Sequence, residues 1–407
     1  MWRPVKILQI CPDFPPYVRG GGAETFRLLA GAWTSQGHKV TVITSVPGSI
    51  HGAVEEEAFP YDVEYIRLMP SPPMFREASY FFPVGLPQFL RLRRLLRAHA
   101  ADADVIAIHG LAETVPLLSL LLLKRYSDKA VVTQHGISAA PHTRIMSAVS
   151  EVLYRSLGKI AISPYRRIIV YSSETRSRFL NYFGRSSGFA ITEIPLGIDT
   201  EEFKKNFEAA STASKTLNRW ARQYIGMNEP FIFAVGRNVR IKGFDTLIRA
   251  FSLISASNST LRLVIGGDET EYTKELRALD SDLDLADKTV FTGRLTEQQK
   301  IFLMLNSSCF VIPSRSEGYG LNAVEAAILQ VRTVATMTGA HAEILGKTQY
   351  SRIVPPEDVE ALSSAIKEAI ESGSGKYCFS DEAAGALDIR SLSEIYTQGP
   401  ENREQLH

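Results

Sequence analysis

The sequence predicts an α/β protein made of two doubly wound domains. Short apolar runs alternate with helix-length segments along the chain, and this alternation is typical of mainly parallel sheets covered by helices. At 407 residues the chain is long enough for two domains, each with a core of its own. We expect the first domain over residues 1–198 and the second over 199–380. A C-terminal helix and tail are expected over 381–407, and packing back on the first domain is one option for them.

Thirteen apolar runs of three to seven residues define the predicted strands. In the first domain they are Val5–Cys11, Lys39–Thr44, Val63–Leu68, Asp104–His109, Ala130–Gln134, Arg167–Tyr171 and Phe189–Ile194. In the second domain they are Phe231–Val235, Leu261–Ile265, Val290–Thr292, Cys309–Ile312, Thr333–Thr336 and Ser351–Val354. A polar stretch near residues 196–228 separates the two series, so we expect it to join the domains.

Composition argues against several classes of protein. The 45 basic and 44 acidic residues leave a formal net charge of +1, which provides no general attraction to nucleic acid. The three cysteines, Cys11, Cys309 and Cys378, are distant in sequence and odd in number, so we expect neither a disulfide framework nor a metal cluster. No secretory signal is evident, and a reducing cytoplasm fits these features. The apolar run Val115–Leu123 is shorter than the roughly 20 residues that span a bilayer, and we predict a buried helix there.

Two glutamates, Glu317 and Glu325, bracket the start of a predicted helix late in the chain. The run Cys309–Pro313 is typical of a buried strand, and Leu321–Leu329 is rich in good helix formers. Backbone N–H groups of the connecting turn Glu317–Gly320 would face outward at a helix N-terminus, where a phosphate is favoured. Glu325, about two turns further on, is placed to accept hydrogen bonds from a ribose diol. A purely structural interpretation of either glutamate alone stays open, since the helix dipole favours Glu in the first turn by about 0.3–1 kcal/mol.

Five segments resemble, in the same order, the motifs of a large family of retaining glycosyltransferases, family 4, also described as glycosyl transferases group 1. The pair of glutamates resembles the Glu-x7-Glu signature of that family. The other four segments are Gly20–Glu24, Thr133–Gly136, Pro195–Asp199 and Gly236–Gly243. The resemblance spans residues 5 to about 370. It implies the GT-B fold, with two Rossmann-like domains facing across a cleft, and a nucleoside-diphosphate-sugar as substrate without a metal or other cofactor.

The resemblance implies a donor site mainly in the second domain. Arg237 and Lys242 match the Arg and Lys that neutralise the leaving diphosphate, although their spacing alone is equally compatible with a solvated basic turn. Glu317 is implied to lie near the donor sugar, without a role as nucleophile, and Glu325 to bind the nucleotide ribose. The predicted donor-binding residues are Gly21, Gly22, Arg237, Lys242, Arg294, Gly318, Tyr319, Gly320, Leu321 and Glu325, and the predicted catalytic residues are His135, Arg237, Lys242 and Glu317.

A glycine turn follows the first predicted strand. Gly20, Gly21 and Gly22 are contiguous and precede a helix predicted over Ala23–Gln36. Glycines without Cβ atoms permit close backbone approach to a ligand, and the resemblance implies contact with the donor phosphate. The contiguous arrangement departs from the spaced Gly-x-Gly-x-x-Gly of dinucleotide-binding proteins, which counts against a nicotinamide enzyme.

Two histidines end predicted strands of the first domain, where ligand contacts of parallel sheets concentrate. His135 is implied by the resemblance to hydrogen-bond the transferred sugar, and His109 is predicted to bind the acceptor. A structural role stays open for both. His109 takes the second place of a frequent His-x-His pattern whose first place is Ala107 here. The segment Thr338–Glu343 also departs from the family, since many relatives carry two glycines ahead of a Pro-Glu, so contacts to the donor sugar are expected to differ.

Aspartates at 280, 282 and 284 superficially match the Asp-x-Asp metal motif of other glycosyltransferases. They fall in a predicted polar connection, Leu279–Lys288, with no apolar strand to aim them at a metal. We therefore predict a solvated acidic loop and no metal site.

The segment Leu86–Arg97 is predicted to form a basic amphipathic helix with four arginines. Packing on the sheet as an ordinary surface helix is one interpretation. Contact with an anionic membrane surface is the other, and it is favoured by the neighbouring aromatic segment Phe75–Phe82.

The sequence thus predicts a retaining hexosyltransferase that moves a sugar from a nucleoside-diphosphate-sugar to a saccharide or lipid-linked acceptor in polysaccharide or glycoconjugate biosynthesis. A cytoplasmic location is expected, with peripheral association at the inner face of a membrane left open. Two alternatives remain at this stage. One is a nucleotide-sugar epimerase or hydrolase of the same fold, and the other is a noncatalytic regulator that binds nucleotide.

Overall fold

The computed structural model describes residues 3–17, 21–46, 59–69, 84–111, 113–134, 156–184, 188–225, 229–346, 348, 350–373 and 377–397. Two compact units divide the chain. The first takes the residues up to Leu196 and those from Ile389 onward, and the second takes Gly197–Asp388. The aromatic segment 75–82 lies outside the described residues, as does His135.

The first unit contains a parallel sheet of seven strands in the order β3-β2-β1-β4-β5-β6-β7. Its strands are β1 Lys6–Ile10, β2 Lys39–Val46, β3 Asp62–Arg67, β4 Val105–His109, β5 Ala130–Gln134, β6 Arg167–Val170 and β7 Ala190–Glu193. The helices between them are α1 Gly21–Ser35, α2 Leu86–Ala100, α3 Thr114–Leu122 and α4 Ser173–Phe183, and residues 156–162 are also helical. Because helices cover the sheet, its central strands β1, β4 and β5 are buried along nearly their whole length.

The second unit contains a parallel sheet of six strands in the order β10-β9-β8-β11-β12-β13. Its strands are β8 Phe231–Val235, β9 Arg262–Gly266, β10 Thr289–Gly293, β11 Cys309–Ile312, β12 Thr333–Thr336 and β13 Ser351–Val354. Its helices are α5 Thr200–Thr212, α6 Ser214–Ala221, α7 Phe244–Ser255, α8 Glu271–Asp282, α9 Glu297–Asn306, α10 Leu321–Ile328, α11 His341–Leu345, α12 Val359–Glu371 and α13 Asp381–Ala386. The core of this unit includes fully buried Ile232, Leu247 and Phe251.

The last described helix, α14 (Ile389–Thr397), packs against α1 in the first unit. The indole N–H of Trp33 donates to the carbonyl oxygen of Ser393 at 3.0 Å, and the rings of Trp33 and Tyr396 lie 5.3 Å apart. Both aromatic side chains are fully buried. The C-terminal helix therefore contributes to the core of the sheet that the N-terminal part of the chain forms.

The predicted strands agree closely with the observed ones. Five have the predicted bounds, β5, β8, β11, β12 and β13, and the other eight differ by one or two residues at an end. The apolar run predicted as a buried helix is α3, and it buries Val115 and Leu120. Fully buried parallel strands carry their own sequence signal, because both faces must be apolar.

Three local expectations differ from the structure. Helix α1 begins at Gly21 rather than Ala23, so the two glycines form its first turn. The polar stretch near residues 196–228, expected to join the domains, belongs from Gly197 onward to the second unit and contains the helices α5 and α6. The aspartates at 280 and 282 end helix α8, and Asp280 is 4 % exposed, so the expectation of a solvated loop is wrong there. Spacing of three and four residues places Asp280 on the same helix face as buried Leu276 and Thr273, and burial raises the pKa of its carboxyl group.

Candidate functional site

The order of the second sheet reverses between β8 and β11. Strands β9 and β10 lie on one side of β8, whereas β12 and β13 lie beyond β11. In parallel sheets, ligands bind beyond the carboxyl ends of the strands at such a switch point. The segments that follow β8 and β11 carry Arg237, Lys242 and Glu317, so three predicted site residues belong to the two strands that flank this point.

A partly buried ion pair joins the two segments. The Lys242 ammonium, at the end of a short 3-10 turn Arg240–Lys242, lies 2.6 Å from Oε1 of Glu317. The same oxygen accepts a hydrogen bond from the Ser314 hydroxyl at 2.6 Å. The two charged side chains are 22 % and 13 % exposed, which limits screening of the pair by water. Arg237 is solvent exposed, and within the described part of the chain its side chain has no carboxylate partner.

Glu317 is ionised at neutral pH despite its burial. Burial acts to raise the pKa of its carboxyl group, but the positive charges of Lys242 and His341 and the hydrogen bonds from Lys242 and Ser314 outweigh burial. The net result is a pKa below the ordinary value of 4.5. The site therefore holds a fixed negative charge against a fixed positive one.

Arg315 links the same two segments through a second set of hydrogen bonds. Its guanidinium donates to both carboxylate oxygens of Asp245 at 2.7 Å and to the carbonyl oxygen of Arg240 at 2.6 Å. A further bond of 2.7 Å reaches Glu357. Asp245 lies in the first turn of α7, so these bonds tie the turn bearing Lys242 to the loop bearing Glu317. Planar bidentate bonding of this kind holds geometry more strictly than a single contact.

Helix α10 begins directly after the predicted phosphate-binding turn. Gly320, its N-cap residue, has φ +110°, a left-handed conformation that favours glycine. The amide of Asn322 in the first turn donates to the carbonyl oxygen of Val235 at 2.9 Å, which ties the helix start to the end of β8. Gly318 and Tyr319 precede the helix and Leu321 is its first residue, so these predicted donor-binding residues lie with Gly320 at the helix N-terminus.

His341 was not among the predicted site residues, yet it lies against this turn. The side chain is fully buried, and Nδ1 donates to the carbonyl oxygen of Thr336 at 2.9 Å, because a carbonyl can only accept. A Cβ atom on Gly320 would come within 2.5 Å of its Nε2 atom. His341 belongs to the segment Thr338–Glu343 that departs from the family pattern, and that departure was the available sequence signal.

Glu325 faces inward from α10 and pairs with Lys300 of α9. The two charged groups lie 2.8 Å apart, and the side chains of Lys300 and Glu325 are 12 % and 11 % exposed, respectively. Sequence reasoning missed Lys300, although its spacing from buried Leu303 and Met304 places it on the inner face of α9. Arg294 follows β10, which is an edge strand two places from β8, and its side chain is exposed.

In the first unit, the predicted residues follow the strands where that sheet reverses, β1 and β4. Gly21 and Gly22 begin α1, the helix after β1. His109 ends β4 and is fully buried, with Nδ1 2.6 Å from the Thr133 hydroxyl and Nε2 3.3 Å from the Gln9 amide. Its bonds therefore hold neighbouring strands together, whereas a direct contact with an acceptor stays a prediction.

Among the residues that the structure describes, no group of three or more His, Cys, Asp or Glu side chains is arranged to hold a metal ion. None of the helices in the same residues has the length and apolar character needed to cross a membrane.

The family model described as Glycosyl transferases group 1 matches residues 219–382, and that described as Glycosyltransferase Family 4 matches residues 19–202. The chain is 26 % identical over 89 % of both chains to a GDP-mannose-dependent alpha-(1-6)-phosphatidylinositol monomannoside mannosyltransferase of Mycolicibacterium smegmatis. It is 24 % identical to a GDP-mannose:cellobiosyl-diphosphopolyprenol alpha-mannosyltransferase of Komagataeibacter xylinus, over 95 % of this chain and 88 % of that one.

Solved structures share the fold. A glycosyltransferase from Rickettsia africae superposes with a TM-score of 0.69 at 19 % identity, covering 97 % of this chain and 98 % of that one. A sucrose-phosphate synthase from Thermosynechococcus elongatus superposes with a TM-score of 0.68 at 20 % identity, covering 96 % and 94 %. At such identities the likeness concerns the fold alone.

Proposed function

Because the chain belongs to the group 1 glycosyltransferases and has the two-domain α/β fold of the GT-B class, we propose that it transfers a hexose from a nucleoside diphosphate to an acceptor hydroxyl with retention of anomeric configuration. The observation that carries the proposal is the Lys242–Glu317 pair at the carboxyl ends of β8 and β11. Family membership supports glycosyl transfer as the activity, whereas the mechanism and the individual residue roles are our proposals.

The second unit supplies positive charge where a diphosphate would leave. A lysine ammonium has three donors, so Lys242 can hold Glu317 and still donate to a phosphate oxygen. Exposed Arg237 lies in the same segment after β8 and would add a planar multidentate donor. The N-terminus of α10 contributes the positive end of a helix dipole. These groups would stabilise the charge that develops on the diphosphate, and we propose that no metal is needed.

The proposed step is a front-face substitution. The bond from the anomeric carbon to the phosphate oxygen breaks while a bond to the acceptor oxygen forms on the same face. The acceptor proton passes to an oxygen of the departing phosphate. Glu317 is tied to Lys242 and Ser314 and would orient the donor sugar rather than attack it. His135 would hydrogen-bond the transferred sugar, by the family resemblance alone.

GDP-mannose is the donor that we propose first. Two relatives that cover most of this chain are named as GDP-mannose-dependent enzymes, and their named acceptors are lipid-linked. The face of α2 fits such an acceptor. Leu86 and Leu90 are 69 % and 49 % exposed, and exposed Arg94 and Arg97 follow at helical spacing on the same face. We propose that this face contacts an anionic membrane surface.

The test is a transfer assay with GDP-mannose, UDP-glucose and ADP-glucose against phosphatidylinositol and polyprenyl-diphosphate-sugar acceptors. We expect a mannosylated lipid whose new linkage has the α configuration of the donor by proton NMR, with activity unchanged by EDTA. A product of inverted configuration would refute the retaining mechanism. Sugar release or epimerisation without any acceptor would favour the hydrolase or epimerase alternative, and nucleotide binding without any turnover would favour a regulator.

A further inference from the structure

Three charged side chains form two consecutive ion pairs that link the first turn of α9 to α10. The Lys300 ammonium lies 2.7 Å from Oε2 of Glu297 and 2.8 Å from Oε1 of Glu325. Glu297, at the first turn of α9, is 55 % exposed, whereas Lys300 and Glu325 are 12 % and 11 % exposed. Glu297 and Lys300 are three residues apart on one helix, so the lysine is held from its own helix while it reaches the next.

Folding stability alone does not explain why Lys300 and Glu325 are largely buried as an ion pair. Removing two charges from water costs several kcal/mol per ion, and an apolar pair of similar volume is often at least as stable. The face of α9 that carries Lys300 is otherwise apolar, since Leu303 and Met304, three and four residues further on, are buried. Burial acts to lower the pKa of Lys300, but Glu325 and Glu297 outweigh burial and raise the pKa above its ordinary value. The ammonium therefore stays charged beside Glu325.

A glutamate side chain without a fixed partner does not hold its carboxylate in one orientation for a ligand. Its terminal torsion is broad, so the two carboxylate oxygens sweep a range of orientations. Lys300 binds Oε1 of Glu325, and the backbone of α10 sets the other end of the side chain. The orientation of the whole carboxylate is thus determined before any ligand arrives, which lowers the entropy cost of binding.

We propose that Lys300 is a positioning residue that orients the Glu325 carboxylate toward the ribose hydroxyls of the donor, and that the pair selects ribonucleotides over deoxyribonucleotides. The inference rests on the proposed function, because it takes Glu325 as the ribose ligand. Lys300 lies in none of the five motifs that identify the family.

The experiment measures dissociation constants of GDP and 2′-deoxy-GDP by calorimetry, or of the UDP or ADP pair if that base binds more tightly. For wild type we expect a preference of roughly tenfold for the ribonucleotide, the value of one charged hydrogen bond. Glu325→Gln and Lys300→Met should each reduce the ratio below about threefold, and Lys300→Arg should retain most of it. Lys274→Met is the matched control, since Lys274 pairs with Glu271 at the same helical spacing on α8 but is 77 % exposed.

The double variant Lys300→Met/Glu325→Gln keeps the test informative if Lys300→Met alone folds poorly. With both charges removed, no ion is left buried without a partner. Its ratio should equal that of Glu325→Gln, because Lys300 has nothing to orient once the carboxylate is gone.

The possible outcomes distinguish a failure of Glu325 as the ribose ligand from a failure of Lys300 as its positioning residue. A wild-type ratio in Glu325→Gln, or no nucleotide binding to wild type, would remove Glu325 as the ribose ligand and overturn the proposed site together with the inference. A reduced ratio in Glu325→Gln but a wild-type ratio in folded Lys300→Met would overturn the inference alone. An equal loss of affinity for both nucleotides in Lys300→Met would likewise make Lys300 a purely structural residue.

Discussion

Lys242 and Glu317 are 75 residues apart in sequence, and their charged groups lie 2.6 Å apart beside the point where the second sheet reverses. The contact joins the turn after β8 to the loop after β11. The site therefore combines a cation, an anion and the N-terminus of α10, all carried by the segments that follow β8 and β11. The bidentate bond of Arg315 to Asp245 fastens the same two segments a second time.

Replacing Lys242 with Met should abolish most of the transfer activity. If the ammonium stabilises the departing diphosphate, we expect kcat to fall by about 10²–10³, as for the loss of one preorganised donor. Steady-state kinetics with the identified donor would measure this change. Lys274→Met removes an exposed lysine of the same unit and should leave kcat unchanged. Wild-type kcat in folded Lys242→Met would exclude the proposed role.

Glu317→Gln should destabilise the protein in a pH-dependent way. The folded carboxyl group has a pKa below its ordinary 4.5, so ionisation favours the folded state. This contribution is fully present above pH 4.5 and is lost as the pH falls through the lowered folded value. We expect the variant to be about 1–3 kcal/mol less stable at pH 7, with the difference shrinking below pH 4.5. Urea unfolding at a series of pH values measures this, and a difference that does not change with pH would contradict it.

Gly320→Ala should weaken both folding and nucleotide binding. The residue has φ +110°, and a Cβ atom would press on buried His341, so we expect a loss of about 1–3 kcal/mol in the free energy of unfolding. Gly385→Ala, within helix α13 of the same unit and with open space around the position, should instead be neutral or slightly stabilising. Similar melting temperatures of these two variants would show that the turn tolerates a side chain.

Reversing the charge of Arg94 and Arg97 should weaken binding to anionic vesicles. Each basic residue near such a surface contributes about 1 kcal/mol, so the double change to Glu should lower vesicle affinity at least tenfold. Cosedimentation with vesicles containing phosphatidylglycerol at low salt measures the effect. Arg219→Glu/Arg249→Glu makes the same charge change at exposed positions of the second unit and serves as the control. Equal binding by both double variants would exclude α2 as the contact face.

The sequence predicted the fold well because its main elements are encoded locally. Strand β11 has the predicted bounds, because it is a continuous run of four buried, apolar residues. The helix predicted to follow the glycine-rich turn is α10, and it ends within one residue of the prediction. Asp280 was misjudged because the acidic composition of its segment outweighed its helical spacing, four residues from Leu276 and seven from Thr273.

The site was predicted less completely. Lys242, Glu317 and Glu325 could be singled out because each lies in a motif directly after a strand or across a helix start. Lys300 and His341 were missed, although both contact that site. Lys300 is an isolated residue whose partner lies elsewhere in the chain, and the signal for His341 was its position in a segment that departs from the family pattern. Lys300 of α9 reaches Glu325 of α10 across 25 residues of sequence, through a side-chain contact that the tertiary structure creates.

The sequence by itself determined which segments become strands and helices, and which strand ends carry charged or glycine-rich turns, because hydrophobic periodicity and turn chemistry act over a few neighbouring residues. Only the tertiary structure decided which of these groups meet. The partners of Glu317, Glu325 and Arg315 depend on strand order and on how adjacent helices pack. Those are properties of the whole sheet, because a side-chain contact of a few ångströms follows from the relative placement of elements that are far apart in the chain.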